Sequence, residues 1–156
     1  MDVKVKKISD KAVIPTKAHT TDAGFDLVCT EITTEVGEDA VMNLVYHTGI
    51  TLEIPDGYVG LLFNRSSISA KSLTLTNAVG VIDSGYRGEI MAKFKINTLS
   101  VPSVFKPGEK FAQLIIMPIP ETNLIEVQSE LATSDRGENG FGSTDKVDEV
   151  VEPIAA

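Results

Sequence analysis

Asn77-Ala78-Val79-Gly80-Val81-Ile82-Asp83-Ser84-Gly85-Tyr86-Arg87-Gly88-Glu89-Ile90 is the stretch from which the rest of the chain can be read. A polar amide leads through a glycine into two β-branched residues. A lone carboxylate, Asp83, then sits at a Ser-Gly turn, followed at once by an aromatic and a cation. Strand, tight turn, strand is the signature of a hairpin, with Gly85 expected to supply a positive φ. Taken alone, it reads as a surface hairpin with an acidic tip, because Asp-Ser-Gly turns are common. The alternative is a site whose acid is presented at the turn.

The segments on either side repeat the β signal. Ile90, Ala92, Phe94 and Ile96 alternate with Met91, Lys93, Lys95 and Asn97, the cleanest strand pattern present. Upstream, Tyr58 to Phe63 is continuously apolar, as in a strand covered on both faces. Phe111 to Met117 is a second such strand, interrupted only by Gln113, whose amide needs partners from backbone or ligand. Val41 to Ile54, Ala23 to Val28 and Val3 to Val5 add further strand-like pieces, and Ala12-Val13-Ile14 a short apolar run stopped by Pro15. Residues 31 to 39 read as an acidic loop. His47 reads as a face residue, and His19 as a solvated loop residue. Asn64 to Leu73 is the best helix candidate, and it is short. Its serines suit an N-cap, and Arg65 with two hydroxyls at such an end suits phosphate as well as an ordinary capped helix. With about ten short strands, one brief helix and no repeats, the fold class is all-β: a sandwich, jelly roll or barrel.

A length of 156 residues implies one domain, able to bury about 70% of its unfolded surface. The net charge of -8 argues against a nucleic-acid or membrane-surface binder, since both need a basic face. It leaves room for a small anion held by a few local cations. A single cysteine, Cys29, excludes an internal disulfide and fits a reducing, cytoplasmic setting. No apolar run approaches the length of a membrane span. Asp26 lies between Phe25 and Leu27, where an acid is costly to bury without a partner. Beyond Pro120 apolar density falls. The expected organisation is a β-domain over 1–132 and a flexible arm over 133–156, glycine-rich from Ser134 to Thr144 and acidic thereafter. Phe141 is the anomaly there: a free linker gains nothing from a phenyl ring, but an arm closing on a planar ligand does.

Five stretches, in order, resemble the trimeric dUTP pyrophosphatases (dUTPases). They are Ala23-Gly24-Phe25-Asp26-Leu27, Asn64-Arg65-Ser66-Ser67, Gly80 through Ile90, Gly108-Glu109-Lys110-Phe111-Ala112-Gln113-Leu114, and Arg136 through Thr144. The resemblance implies a jelly-roll-like β-clip fold assembled as a homotrimer, with each site drawing motifs from all three subunits. It implies hydrolysis of dUTP to dUMP and pyrophosphate with Mg²⁺, which keeps uracil out of DNA. On that resemblance Asp83 would activate the water. Asp26 would hold waters of the Mg²⁺ shell. Arg65, Ser66, Ser67 and Gln113 would grip phosphates. Arg136, from a neighbour's arm, would reach the γ-phosphate, and Phe141, with Gly142 and Ser143, would close over the uracil. Asn77 and the backbone of Gly80, Val81 and Ile82 would read the uracil edge, and Tyr86 would exclude a 2′-hydroxyl. Phe25 stands where the family often has Tyr, Ser67 where many members have Gly, and Asn139 where a glycine is common. Two alternatives stand beside this: a dCTP deaminase, which would need a carboxylate near Ala92 and Lys93, and a non-catalytic trimer that binds nucleotide or a protein partner of unknown identity.

Overall fold

The computed structural model describes residues 1–37, 41–98 and 100–140, and within them the chain is nearly all β. Nine strands are present: β1 (Lys4–Lys7), β2 (Phe25–Val28), β3 (Glu31–Val36), β4 (Met42–Glu53), β5 (Tyr58–Asn64), β6 (Leu73–Leu75), β7 (Gly80–Ile82), β8 (Glu89–Ile96) and β9 (Lys110–Pro118). They form two antiparallel sheets. One has the order β1-β4-β8-β6, with β3 also on β4; the other is β2-β9-β5-β7. The fold is a jelly roll, as expected.

β4 explains how the first sheet is built. Its Met42–His47 half pairs with β3 and its Ile50–Glu53 half with β1, while β8 lies along it from Asn43 to Thr51. The β4–β8 register shifts between His47 and Thr51, a β-bulge. Inside it Gly49 has φ +66° and its added Cβ would meet Ser9 Cβ at 2.8 Å, so only glycine fits.

The core lies between the sheets. Tyr46 and Phe94 from one sheet meet Phe111 from the other, with centroids 5.1–6.4 Å apart in stacked and edge-on pairs. Leu27, Ile50 and Leu62 close the cluster. The Tyr46 hydroxyl, fully buried, donates to the Phe105 carbonyl at 3.2 Å. Burial pushes its pKa up to about 12, and that of the Cys29 thiol to about 11. Cys29 is therefore an inert core residue.

Several sequence-based expectations change. Residues 31–36 form β3 instead of a loop, because Thr33, Thr34 and Ile32 pair along β4. The short apolar run Ala12-Val13-Ile14 lies outside the strands, and just beyond it Thr16 makes an isolated bridge to Asp26. The expected helix is a five-residue 3₁₀ turn, Ser66–Ala70, whose N-cap is Arg65 with no side-chain cap. His19 is exposed but not alone: its ring lies 3.4 Å from Asp22, which also accepts the His19 N–H. The chain divides into two compact units, Met1–Glu121 and Thr122–Ala156. The second carries no regular strand among its described residues.

Candidate active site

The Asn77–Ile90 stretch is not a hairpin. β7 pairs with β5 in one sheet, and β8 pairs with β4 and β6 in the other. The turn at Asp83 hands the chain from sheet to sheet, and the two strands part where a hairpin would have paired them. Gly85 does not take a positive φ, and a Cβ there would meet nothing. Arg87 holds the turn instead: its guanidinium donates to the carbonyls of Ser84 at 2.6 Å and Tyr86 at 2.9 Å.

The parting leaves a cleft of about 290 Å³. Asn77, Gly80, Val81, Ile82, Asp83 and Tyr86 line it from one side, Glu89 to Lys93 from the other, over Leu62 and Leu75. All six of the first group were singled out from sequence. β7 is the edge of its sheet, so among the described residues one flank of its backbone is without a strand partner. A planar ring with its own donors and acceptors can take the place of the missing strand.

Local geometry tightens this wall. Ala78 has φ +58°, a rare conformation for a residue with a side chain, and Val79 N–H reaches back to the Asn77 carbonyl at 2.5 Å. Tyr86 is half exposed, and its hydroxyl donates to the Glu89 carbonyl at 3.1 Å. A Cβ at Gly88 would fall on the Tyr86 ring and hydroxyl, so glycine is what lets the ring lie there. Asp83 is exposed just past the end of β7.

The second group of expected residues gathers elsewhere on the same sheet. Asp26 and Gln113 are register partners across β2 and β9, and Gln113 also pairs with Phe63 of β5. Arg65 Nε donates to Asp26 Oδ1 at 2.7 Å, and Lys110 Nζ to Asp26 Oδ2 at 2.7 Å. These are the partners a half-buried acid requires. Lys110 is the member that sequence missed; its place beside Gln113 in the same stretch was the available signal. Gln113 Nε2 donates to the Asn64 carbonyl at 2.8 Å, which leaves one amide hydrogen free. Ser67 Oγ is buried and has no hydrogen-bond partner among the described residues. Ser66 is exposed beside it.

β5 runs antiparallel to β7 with Gly60 opposite Ile82, so Asp83 falls beside Val59, while Arg65 follows the far end of β5. Six residues of extended chain separate the two positions by roughly 20 Å. Asp83 and the Arg65 group are thus at opposite ends of one strand. In the second unit, Arg136 Nε donates to the Asn139 carbonyl at 3.1 Å within a turn begun by Ser134. Phe141, Gly142 and Ser143 lie outside the described residues.

Metal-type ligands do not cluster: among the described residues no three His, Cys, Asp or Glu side chains come together. Asp26 already receives two cations, but each of its oxygens keeps a further acceptor site. That donor set suits a hydrated Mg²⁺ touched through water, since Mg²⁺ keeps several of its own waters and rests largely on substrate phosphates.

Residues 10–145 match the family model described as dUTPase. Deoxyuridine 5'-triphosphate nucleotidohydrolase of Clostridium kluyveri is 40% identical over 92% of this chain and 98% of its own length. A mutant dUTPase of Staphylococcus bacteriophage 80alpha, solved with dUpNHpp, superposes with a TM-score of 0.76 at 30% identity, over 92% of this chain and 98% of that one. A mutant dUTPase of S. aureus phage phi11, solved to show the coordination of a structural Mg(II) ion, gives 0.69 at 28% identity, over 83% and 98%.

Proposed function

The chain belongs to the dUTPase family, and on that premise we propose that it hydrolyses dUTP to dUMP and pyrophosphate, with uracil held in the cleft between β7 and β8. The observation that carries the reading is the cleft itself, with an unpaired backbone edge on one side and Asp83 at its rim. Asn77 and the main chain of Gly80, Val81 and Ile82 present fixed donors and acceptors to the base. Cytosine would leave some of them unpaired, which is strongly penalised. The narrow gap excludes a 5-methyl group, and Tyr86 occupies the space a 2′-hydroxyl needs. Asp83 orients a water and takes its proton as oxygen attacks the α-phosphorus.

Arg65, Ser66, Ser67 and Gln113 bind the phosphates by charge-assisted and hydroxyl hydrogen bonds. Asp26 holds waters of a Mg²⁺ ion that arrives with the triphosphate and offsets its charge. The separation of roughly 20 Å along β5 between the positions of Asp83 and Arg65 supports a site that takes the two groups from different copies of the chain. In this reading the copies are those of a homotrimer. Residues 133–156 act as an arm, bringing Arg136, Phe141, Gly142 and Ser143 to a neighbour's nucleotide. Within Thr122–Ala156, Leu124 is 97% exposed, Ile125 80% and Leu131 79%, an apolar strip that assembly would cover. No described helix is long and apolar enough to cross a membrane, which is compatible with a cytoplasmic nucleotide enzyme.

The deaminase alternative loses support at the same cleft. Ala92 and Lys93 line it where a carboxylate would be required, and Glu89 has both side-chain oxygens engaged. The test is pyrophosphate release from dUTP, dTTP, dCTP and UTP with Mg²⁺, for the parent and Asp83→Asn. Release from dUTP alone, lost in the variant by at least about 10³-fold, is expected. Tight dUTP binding without release would leave a nucleotide-binding trimer instead.

A further inference from the structure

Glu89 occupies the junction between the cleft and the β4 bulge, and its three oxygens are all committed. Its carboxylate accepts the Gly49 N–H at Oε1, 2.7 Å away, and meets His47 Nδ1 at Oε2, 3.0 Å away. Its carbonyl accepts the Tyr86 hydroxyl. A carboxylate only accepts, so His47 carries a hydrogen on Nδ1, while its Nε2 lies 2.9 Å from Thr33 Oγ1. His47 and Glu89 side chains are about four-fifths buried, at 22% and 20% exposure. The Gly49 N–H that Glu89 binds lies within the register shift of β4 against β8, between His47 and Thr51, where the ladder is interrupted. Behind it, Ile8 N–H donates to the Gly49 carbonyl at 2.8 Å, and Ser9 and Ala12 press on Gly49. Gly88 leaves Tyr86 room on the front.

We propose that Glu89, clamped by His47 and the Gly49 bulge, is a positioning residue that fixes Tyr86 against the sugar and so sets discrimination between deoxyribose and ribose. The inference rests on the reading of Tyr86 as the group that meets the sugar. Tyr86 is half exposed and reaches the fold through one hydroxyl bond, so the steadiness of its acceptor governs where the ring stands. Clamping that acceptor strand from the side chain is what turns a mobile aromatic into a steric gauge.

The experiment compares kcat/KM for dUTP and UTP in the full chain. Glu89→Ala removes both clamps; it is expected to lower the dUTP/UTP ratio about tenfold, the scale of one lost hydrogen bond of positioning. Glu89→Gln keeps an acceptor for Gly49 and an amide for His47, which can change tautomer, and is expected to stay within about threefold of the parent. Tyr86→Phe should match Glu89→Ala, and the double variant should be no worse than either, because both act through one contact. A folded Glu89→Ala that lowers both substrates equally, or a double variant with additive losses, overturns the proposal. If Glu89→Ala does not fold, His47→Leu, which leaves the Gly49 bond intact, decides: a ratio lowered about threefold supports it and an unchanged ratio overturns it. If Tyr86→Phe and Tyr86→Ala both leave the ratio unchanged, the reading of Tyr86 has failed, not the clamp alone.

Discussion

Single residues set the dimensions of the cleft, and two of them do so against ordinary backbone preference or packing space. Ala78 holds φ +58° at the entrance, where a side chain costs about 1 kcal/mol relative to the right-handed regions. Ala78→Gly should raise stability by up to about 1 kcal/mol in thermal unfolding, partly offset by glycine's entropy. A drop would show that the Ala78 methyl is needed for packing. Gly88 is the reverse case, a position where any Cβ falls on Tyr86. Gly88→Ala should leave the fold intact but reduce kcat/KM for dUTP by about tenfold or more, since a displaced ring no longer fits the sugar. Normal kinetics with a correctly folded variant would contradict that placement. Asp26 shows how a residue can be flagged without being understood. A carboxylate between Phe25 and Leu27 announces a partner, but Arg65 and Lys110 are 39 and 84 positions away and no local pattern names them.

Among elements, β4 and the core behind it carry the fold. The alternation along Ile90–Ile96 was legible because a half-buried strand writes its two faces into consecutive residues. The Asp83 turn was misjudged for the matching reason: two short strands joined by Asp-Ser-Gly look alike whether they pair with each other or with separate sheets. Partner choice is a long-range property. Behind β4, Tyr46 and Cys29 are neutral and buried, with pKa values raised to about 12 and about 11 by loss of solvent. In the unfolded chain both ionise earlier, near their ordinary values of 10.0 and 9.0. Between those values and the folded ones the unfolded state has lost protons that the native state keeps, so stability falls as pH rises. Their contribution is fully present below about pH 9 and is lost between about pH 9 and 12. Denaturant unfolding across that range should show the decline, and Tyr46→Phe should flatten its upper part. An unchanged slope would place the alkaline loss elsewhere.

At the scale of the whole molecule, the two halves of the candidate site lie at opposite ends of β5. This has a direct consequence for the proposed trimer. Asp83→Asn and Arg65→Ala should each be inactive, yet mixed trimers refolded together should recover activity. In a random equal mixture about a quarter of the sites would draw an intact Asp83 and an intact Arg65 from different subunits. No recovery, with mixed trimers demonstrated by mass, would mean that one subunit supplies both groups. The complement of Arg136, Phe141, Gly142 and Ser143 belongs to the same experiment, since deleting 133–156 should abolish turnover while leaving the β-domain folded.

The sequence by itself determined the all-β class, the strands with clean alternation and six of the residues that line the cleft, Asn77, Gly80, Val81, Ile82, Asp83 and Tyr86. It could do so because periodicity and short motifs are local, and because five motifs in one order are hard to meet by chance. The tertiary structure alone decided that β7 and β8 part instead of pairing, that Glu89 is clamped by His47 and Gly49, and that Asp26 is neutralised by Arg65 and Lys110. Those are contacts across 39 to 84 residues of chain, chosen by which hydrophobic faces must close on the core, and nothing in the neighbouring sequence encodes them.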